Sequence, residues 1–277
     1  MIPSHPERLV FFLGGHDLEM LTIRALLEQE APGRIHDQGL GWGARASSYR
    51  EPILAALAAG ATPVLVELED DLGLPGQRLL IADHHGPRAG REAPTSLHQV
   101  FRLLALGPER WTRWFDLVAA NDRGYIPALK EIGASPQEIA AIRAADRRAQ
   151  GVTDADEAAA EEALHAIERD AGGALTVVRL PHARTATVTD RLHPDLGGPG
   201  YLNLLVLAPD EANFFGEGRI VTALAQQFPM AWYGGALPDQ GFWGLQCDAA
   251  GQAGIRRIVS ALAETTTAAP LRARVAR

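Results

Sequence analysis

The sequence contains very little cysteine and almost no lysine. Cys247 is the single cysteine among 277 residues, so an internal disulfide framework is excluded and a reducing compartment is favoured. The apolar run Leu9–Leu13 near the start is too short for a signal peptide, and we therefore expect a cytoplasmic protein. Lys130 is the only lysine, so any bidentate contact with a phosphate group would come from arginine.

Long hydrophobic runs and an excess of positive charge are also absent. No apolar stretch approaches the roughly 20 residues that a helix needs to cross a bilayer, so we expect no membrane partner. Basic residues number 26 and acidic residues 34, which gives a formal net charge of −8. Affinity for long duplex nucleic acid comes mainly from basic residues that neutralise phosphates, so this charge argues against such a partner and leaves short nucleotides open. The length of 277 residues and the 47% hydrophobic content predict a globular protein of about two domains.

Residues 79–86 form an apolar run that ends in one acid, two histidines and a glycine. A short apolar run bounded by turn residues predicts a buried strand of a parallel sheet, and ligands bind such sheets just beyond the carboxyl ends of the strands. Asp83, His84 and His85 are therefore candidate site residues. Taken alone, the same triplet would also suit a solvated turn.

Other apolar segments are followed by carboxylates in the same way. The segments span residues 8–13, 62–68 and 114–120, and the acids near their ends are Asp17 and Glu19, Glu67, and Asp122. A repeated alternation of strand and helix predicts a parallel sheet wound with helices on both faces, which brings these groups to one sheet edge. Asp17 and Glu19 also lie where a helix begins, so capping of that helix is an equally good interpretation of both.

The second half of the chain differs in composition. Residues 135–173 are rich in alanine and alternating charge, and they predict two linking helices, the first opened by a capping box at Ser135 and the second ending at 172–173. Residues 174–264 predict a smaller mixed α/β domain, and the polar, basic tail 265–277 is predicted to be disordered. The predicted elements of that domain are strands at 175–180, 186–189 and 202–207 and helices at 218–227 and 254–263.

Taken in order, the motifs resemble those of the DHH phosphoesterase family. They are Asp17-x-Glu19 after the first strand, Glu67 at the end of another, the Asp83-His84-His85 triplet, and Asp122 in Ala-Asn-Asp-Arg-Gly. Thr95-Ser96, which opens a helix after the triplet, is similar to the family as well. The glycine-rich stretch 234–244 resembles a degenerate form of the substrate-binding loop in the family's DHHA1 domain. The resemblance implies a DHH-like catalytic domain over 1–134, a helical linker over 135–173 and a DHHA1-like domain over 174–264.

The resemblance also implies roles for individual residues. The metal ligands would be Asp17, Glu19, Glu67, His84 and Asp122, with Glu67 bridging two ions. Asp83 would orient His84, and His85 would face the scissile phosphate as an electrostatic stabiliser or proton donor. The ions would be two Mn²⁺, since imidazole shifts the preference away from Mg²⁺, which stays the alternative. Substrate contacts would come from the second domain, and the candidates are Gly234, Gly235, Arg219 and Arg184.

The implied activity is hydrolysis of a phosphodiester, in short oligonucleotides or cyclic dinucleotides, by water that two metal ions activate. The partners would be a small phosphorylated substrate or a short single strand, and a homodimer is an assembly that the resemblance allows. One alternative is hydrolysis of another small phosphate, such as pyrophosphate or a nucleotide bisphosphate. Another is a catalytically weak nucleotide-binding protein, because Glu19 and Glu67 take positions that are usually aspartate in the family.

Overall fold

The structure is a computed structural model that describes residues 5–41, 43–74, 79–84 and 93–265. The chain divides into two compact units between Gly151 and Val152. Both units combine a β-sheet with helices, so the predicted α/β fold class is confirmed. No helix within the described ranges has the length and apolar character needed to cross a bilayer.

A parallel sheet lies at the centre of the first unit. In the described part of this unit it has four strands in the order β2-β1-β3-β4, and every neighbouring pair is parallel. The strands are β1 (Leu9–Leu13), β2 (Ile35–Asp37), β3 (Thr62–Val66) and β4 (Leu80–Ala82). Strands β1 and β3 are almost entirely buried along their length, which is why they appear in the sequence as continuous apolar runs.

Helices cover this sheet. They are α1 (Leu18–Glu30), α2 (Arg50–Ala58), α3 (Ser96–Leu103), α4 (Arg113–Glu131) and α5 (Pro136–Ala149). Ile53 of α2 packs with Phe12 and Leu65 on one face of the sheet. Helix α1 contacts α3, α4 and α5 in a second layer. The predicted capping box is present at α5, where the Ser135 hydroxyl accepts from the Glu138 amide and the Glu138 carboxylate accepts from the Ser135 amide.

The apolar segment 114–120, which the sequence analysis counted in the strand–helix alternation, is helical. It belongs to α4, whose N-cap Thr112 accepts a hydrogen bond from the Phe115 amide. The expectation was wrong because a short apolar run does not by itself distinguish a buried strand from a buried helix. Helix α4 is kinked: Gly124 and Tyr125 have non-helical backbone angles, and Pro127 lies just beyond them.

The second unit is built on a mixed sheet. Six strands are described there, in the order β5-β6-β7-β8-β10-β9; β6 and β7 are parallel and the other pairs are antiparallel. The strands are β5 (Glu168–Asp170), β6 (Leu175–Arg179), β7 (Asn203–Ala208), β8 (Glu211–Glu217), β9 (Trp232–Gly234) and β10 (Gln240–Gln246). The helices are α6 (Asp154–His165), α7 (Ala186–Leu192), α8 (Gly218–Gln227) and α9 (Ala249–Glu264). Two cores result, one containing Phe214 and Trp243 and the other Val178 and Val206.

Several sequence expectations for the second half need correction. Residues 186–189 are not a strand but part of α7, where Val188 packs against the sheet, so β-branched residues here reflect burial rather than extended backbone. The second linking helix ends at His165 instead of 172–173, and β5 follows it. Of the two helices predicted as a linker, α5 lies in the first unit and α6 in the second. The tail from 266 onward lies outside the described residues.

Candidate metal centre

Four of the predicted ligands meet at one point of the first unit. Glu19, Glu67, His84 and Asp122 each offer one ligand atom, and these atoms lie within 4.8 Å of one another. The Nε2 atom of His84 is 2.5 Å from Asp122 Oδ2 and 3.5 Å from both Glu19 Oε2 and Glu67 Oε1. The four side chains are only 1% to 12% exposed. Three carboxylates around one imidazole form a donor set that suits a divalent ion of intermediate hardness.

Glu19 is fixed by a hydrogen bond from a distant helix. It lies in the first turn of α1, and its Oε1 accepts from the backbone amide of Leu97 in α3 at 3.0 Å. Its other oxygen, Oε2, is buried and accepts no hydrogen bond from any residue that the structure describes. A buried carboxylate oxygen is costly to leave unsatisfied, and a cation at this point would satisfy it. The residues present therefore fit a metal ion.

Glu67 is held in a rare backbone conformation. Strand β3 ends at Val66, and Glu67 has a φ of 53°, in the left-handed region that is unfavourable for a residue with a side chain. Its amide donates to the Ala82 carbonyl at 3.0 Å, which ties it to the end of β4. The backbone of Gly14 lies so close that a Cβ there would be 2.3 Å from the Glu67 carbonyl oxygen. The glycine turn after β1 is thus required for the position of Glu67.

The electrostatics of the cluster follow from burial and close charges. Burial opposes the charged form of His84, but the close carboxylates of Asp122, Glu19 and Glu67 outweigh it and raise the pKa of His84 well above its usual range. Burial also raises the pKa of Asp122 to about 6, although its contact with His84 acts in the opposite direction. The three acids are therefore crowded together around the His84 ring.

Asp17 lies beside this cluster and not within it. Its Oδ1 accepts from the Met20 amide at 2.8 Å, so Asp17 is the N-cap of α1, as one of the two interpretations predicted. Burial, followed by the charges of Glu67 and Asp122, raises the pKa of Asp17 to about 6. The Asp17 carboxylate is thus close enough for the charges of Glu67 and Asp122 to affect its pKa. Its role as a further ligand stays a prediction.

Of the other two members of the triplet, the structure describes Asp83. The backbone carbonyl of Asp83 accepts from the Gln99 side chain of α3 at 2.8 Å, which anchors the chain directly before His84. The orienting role predicted for the Asp83 carboxylate stays a prediction. His85 lies outside the described residues.

The predicted glycine pair of the second unit belongs to a β-hairpin. Gly234 ends β9 opposite Phe242 of β10, and Gly235 follows with a φ of 106°. A Cβ on Gly235 would lie 2.6 Å from the Gly241 Cα, so the backbone can approach this closely only because position 235 is glycine, and a Cβ on Gly234 would crowd the Phe242 ring at 3.0 Å. The close packing of the hairpin is therefore one reason for glycine at Gly234 and Gly235, and their role in binding substrate stays a prediction.

The two predicted arginines have different surroundings. Arg219, in the first turn of α8, donates to Glu217 Oε2 at 3.1 Å and to the Leu262 carbonyl and Thr265 hydroxyl at 3.0 and 2.9 Å. These bonds attach α8 to the end of α9. Arg184 is exposed and lies just before α7, outside the strands that the structure describes. Substrate contact by either arginine stays a prediction.

Sequence reasoning missed two features that shape the centre. The Leu97 amide is a backbone group, and only the helix start at Thr95-Ser96 marks its place in the sequence. The close approach of Gly14 to Glu67 joins residues 53 positions apart, a pairing that no local pattern contains.

The chain is similar in fold to solved structures of other proteins. No protein-family model and no curated protein matches the sequence. A solved DHH domain, from a member of the s1p family of ribosomal proteins, matches with a TM-score of 0.55 at 13% identity, covering 93% of this chain and 87% of that one. RecJ from Thermus thermophilus in complex with Mn²⁺ matches with a TM-score of 0.51 at 16% identity. That match covers 93% of this chain and 52% of RecJ, so the chain spans about half the length of that protein.

The class of fold follows from these matches. The parallel sheet of the first unit and the mixed sheet of the second together form the fold of DHH-domain structures. At 13% and 16% identity the likeness concerns the fold. The resemblance inferred from the sequence motifs is thereby confirmed at the level of the fold.

Proposed function

We propose that the protein is a divalent-metal-dependent phosphoesterase. The observation that carries the proposal is the convergence of Glu19, Glu67, His84 and Asp122 on one buried point, with ligand atoms within 4.8 Å of one another. The RecJ structure that shares the fold is a complex with Mn²⁺, which supports use of a divalent ion on this scaffold. We propose two Mn²⁺ ions, with Mg²⁺ as the alternative.

The four converging side chains would hold the metal, with Asp17 as a further ligand. Bound divalent ions supply an activated water nucleophile and neutralise negative charge on the phosphate. The chain's own residues have separate tasks. Glu19 presents one oxygen because its other oxygen is held by Leu97. Asp83 would orient the His84 imidazole, and His85 would stabilise the phosphate or donate a proton.

The two glutamates bear directly on whether activity is retained. Each is longer by one methylene than the aspartate usual in the family, and displacement by about 1 Å can cost a catalytic site a hundredfold in rate. Yet Glu19 Oε2 and Glu67 Oε1 lie at the same 3.5 Å from His84 Nε2. Both carboxylates therefore reach the centre, which favours an active enzyme over a catalytically weak binding protein.

We propose that the substrate is a short oligonucleotide or a cyclic dinucleotide. The net charge of −8 disfavours long duplexes and permits small anions that metal ions and a few donors can hold. In the second unit, Gly234, Gly235, Arg184 and Arg219 are the proposed contacts. Pyrophosphate and nucleotide bisphosphates are the alternative substrates, because the same metal chemistry applies to them.

Turnover assays test this proposal. Purified protein is incubated with MnCl₂ or MgCl₂ and, separately, with linear di- to pentanucleotides, cyclic dinucleotides, pyrophosphate and a nucleotide bisphosphate, and the products are separated by chromatography. We expect Mn²⁺-dependent release of mononucleotides, abolished by Glu19→Gln. Glu28→Gln is the matched control, because Glu28 is an exposed acid on the same helix. No turnover of any substrate with any divalent ion would contradict the proposal.

A further inference from the structure

A buried arginine packs against the segment of α4 that carries Asp122. Arg143 of α5 is 3% exposed, although the sequence analysis assigned its helix to a linker. Its NH1 donates to the Asn121 side-chain oxygen at 2.9 Å and to Asp146 Oδ2 at 2.7 Å. Its guanidinium carbon lies 4.0 Å from the centre of the Tyr125 ring. One side chain thus contacts residues on both sides of Asp122.

The two contacts flank the kink in α4. Asn121 is in regular helix before the kink, whereas Tyr125 has a φ of 61° and a ψ of −147° at the kink itself. Such a conformation is unfavourable for a residue with a side chain and persists only where the surroundings hold it. The cation–π contact with Arg143 is one such interaction. The guanidinium therefore contacts α4 both before the kink, at Asn121, and at the kink, at Tyr125. Asp122 lies between these two residues in the sequence.

The charge of Arg143 is balanced within its own helix. Asp146 is 6% exposed, and its Oδ2 also accepts from the Gln150 side chain at 3.0 Å. A buried ion pair of this kind seldom stabilises a fold more than apolar residues of similar size, so its presence favours a role in fixing one conformation.

We propose that Arg143 is a positioning residue that holds Asp122 in the metal centre through Asn121 and Tyr125. The proposal rests on the proposed metal-dependent function. It requires arginine specifically, because the planar guanidinium can donate in its plane to Asn121 and Asp146 while its face lies against Tyr125. A lysine would keep the charge and lose this combination.

The test is Mn²⁺ affinity, measured by titration calorimetry on chelator-treated protein. We expect Arg143→Lys to weaken Mn²⁺ binding by about 10- to 100-fold, the usual effect of removing a group that orients a metal ligand. Arg148→Lys is the matched control, since Arg148 is exposed on the same helix, and it should bind as the wild type does. Circular dichroism and thermal unfolding without metal establish that each variant is folded.

Three further variants separate positioning from general stability. Tyr125→Phe keeps the ring and should retain Mn²⁺ affinity, whereas Tyr125→Leu and Asn121→Ala should each weaken it. If Arg143→Lys does not fold, these variants decide the proposal. Wild-type affinity in folded Arg143→Lys, or in both Tyr125→Leu and Asn121→Ala, would overturn the positioning role alone. Absence of Mn²⁺ binding by the wild type would instead contradict the proposed function.

Discussion

At the scale of single residues, the centre depends on one acid in an unfavourable backbone conformation. Glu67 has a φ of 53° and faces an imidazole that two other carboxylates also approach. Strained backbone at such a place is typical of functional sites, where the conformation serves the position of the side chain and costs stability. Glu67 is thus expected to lower the stability of the metal-free protein while it contributes to metal binding.

The substitution Glu67→Asn tests this expectation. Asparagine tolerates the left-handed region better and removes one of three crowded negative charges, so the metal-free variant should be more stable by about 1 kcal/mol. Added Mn²⁺ should no longer raise its melting temperature. The control is Glu69→Asn at a 62% exposed side chain, where stability should change by less than about 0.5 kcal/mol. A clear loss of stability in metal-free Glu67→Asn would contradict the interpretation.

A second residue-scale prediction concerns Gly14. A Cβ there would meet the Glu67 carbonyl at 2.3 Å, and backbone cannot move aside as a flexible side chain can. Gly14→Ala should therefore destabilise the protein by about 1–3 kcal/mol and weaken Mn²⁺ binding. Gly41→Ala, where a Cβ would meet nothing within 4 Å, is the control and should be close to neutral. Chemical denaturation and calorimetry measure both effects, and an unaltered Gly14→Ala protein would refute the packing argument.

At the scale of elements, sequence patterns predicted the strands β1, β3 and β4 and the helices α1 and α3, but not helix α4. Strands β1, β3 and β4 are apolar runs between turn residues, and β1 and β3 are buried on both faces. The expectation of a buried strand was only partly right for β4, which ends the strand order and leaves Ile81 44% exposed. The capping box at Ser135 has a local hydrogen-bond pattern and was equally predictable. Helix α4 was missed because its apolar face and kink depend on packing against α1 and α5, which no local pattern contains.

Helix α3 leads to a prediction about pH. His98 stacks on Trp111 with ring centres 4.2 Å apart, and burial, followed by the charges of Arg123 and Arg102, lowers its pKa to about 4, although Asp116 opposes this. A histidine with a lowered folded-state pKa binds its proton preferentially in the unfolded chain. Its contribution to stability is therefore complete above its unfolded pKa of about 6.5 and is lost as the pH falls toward about 4.

Replacing His98 should make stability less dependent on pH. His98→Phe retains a ring that can stack on Trp111 and removes the titrating group. Denaturant unfolding of chelator-treated protein between pH 7 and about 4.5 should show a shallower loss of stability for this variant than for the wild type. His165→Phe at an exposed position is the control. Identical pH profiles for wild type and His98→Phe would contradict the prediction.

At the scale of the whole molecule, the α/β class and the convergence of distant motifs were predictable, and the atomic arrangement of the centre was not. Strand order brings β1, β3 and β4 together, so the acids and the His84 imidazole that follow those strands meet at one sheet edge. Asp122 reaches the same point from a helix, and Glu19 depends on a backbone amide 78 residues away. Such links are set by tertiary packing, so sequence reasoning could name the residues but not the bonds that orient them.

Binding of Mn²⁺ to the metal-free protein tests the central inference most directly. Titration calorimetry, with melting temperature as a second readout, should show saturable binding of up to two ions and stabilisation that rises with free Mn²⁺. Binding should be lost or greatly weakened in Glu19→Gln and retained in Glu28→Gln. The absence of saturable binding by the wild type, or equal binding by wild type and Glu19→Gln, would contradict a metal centre at these residues.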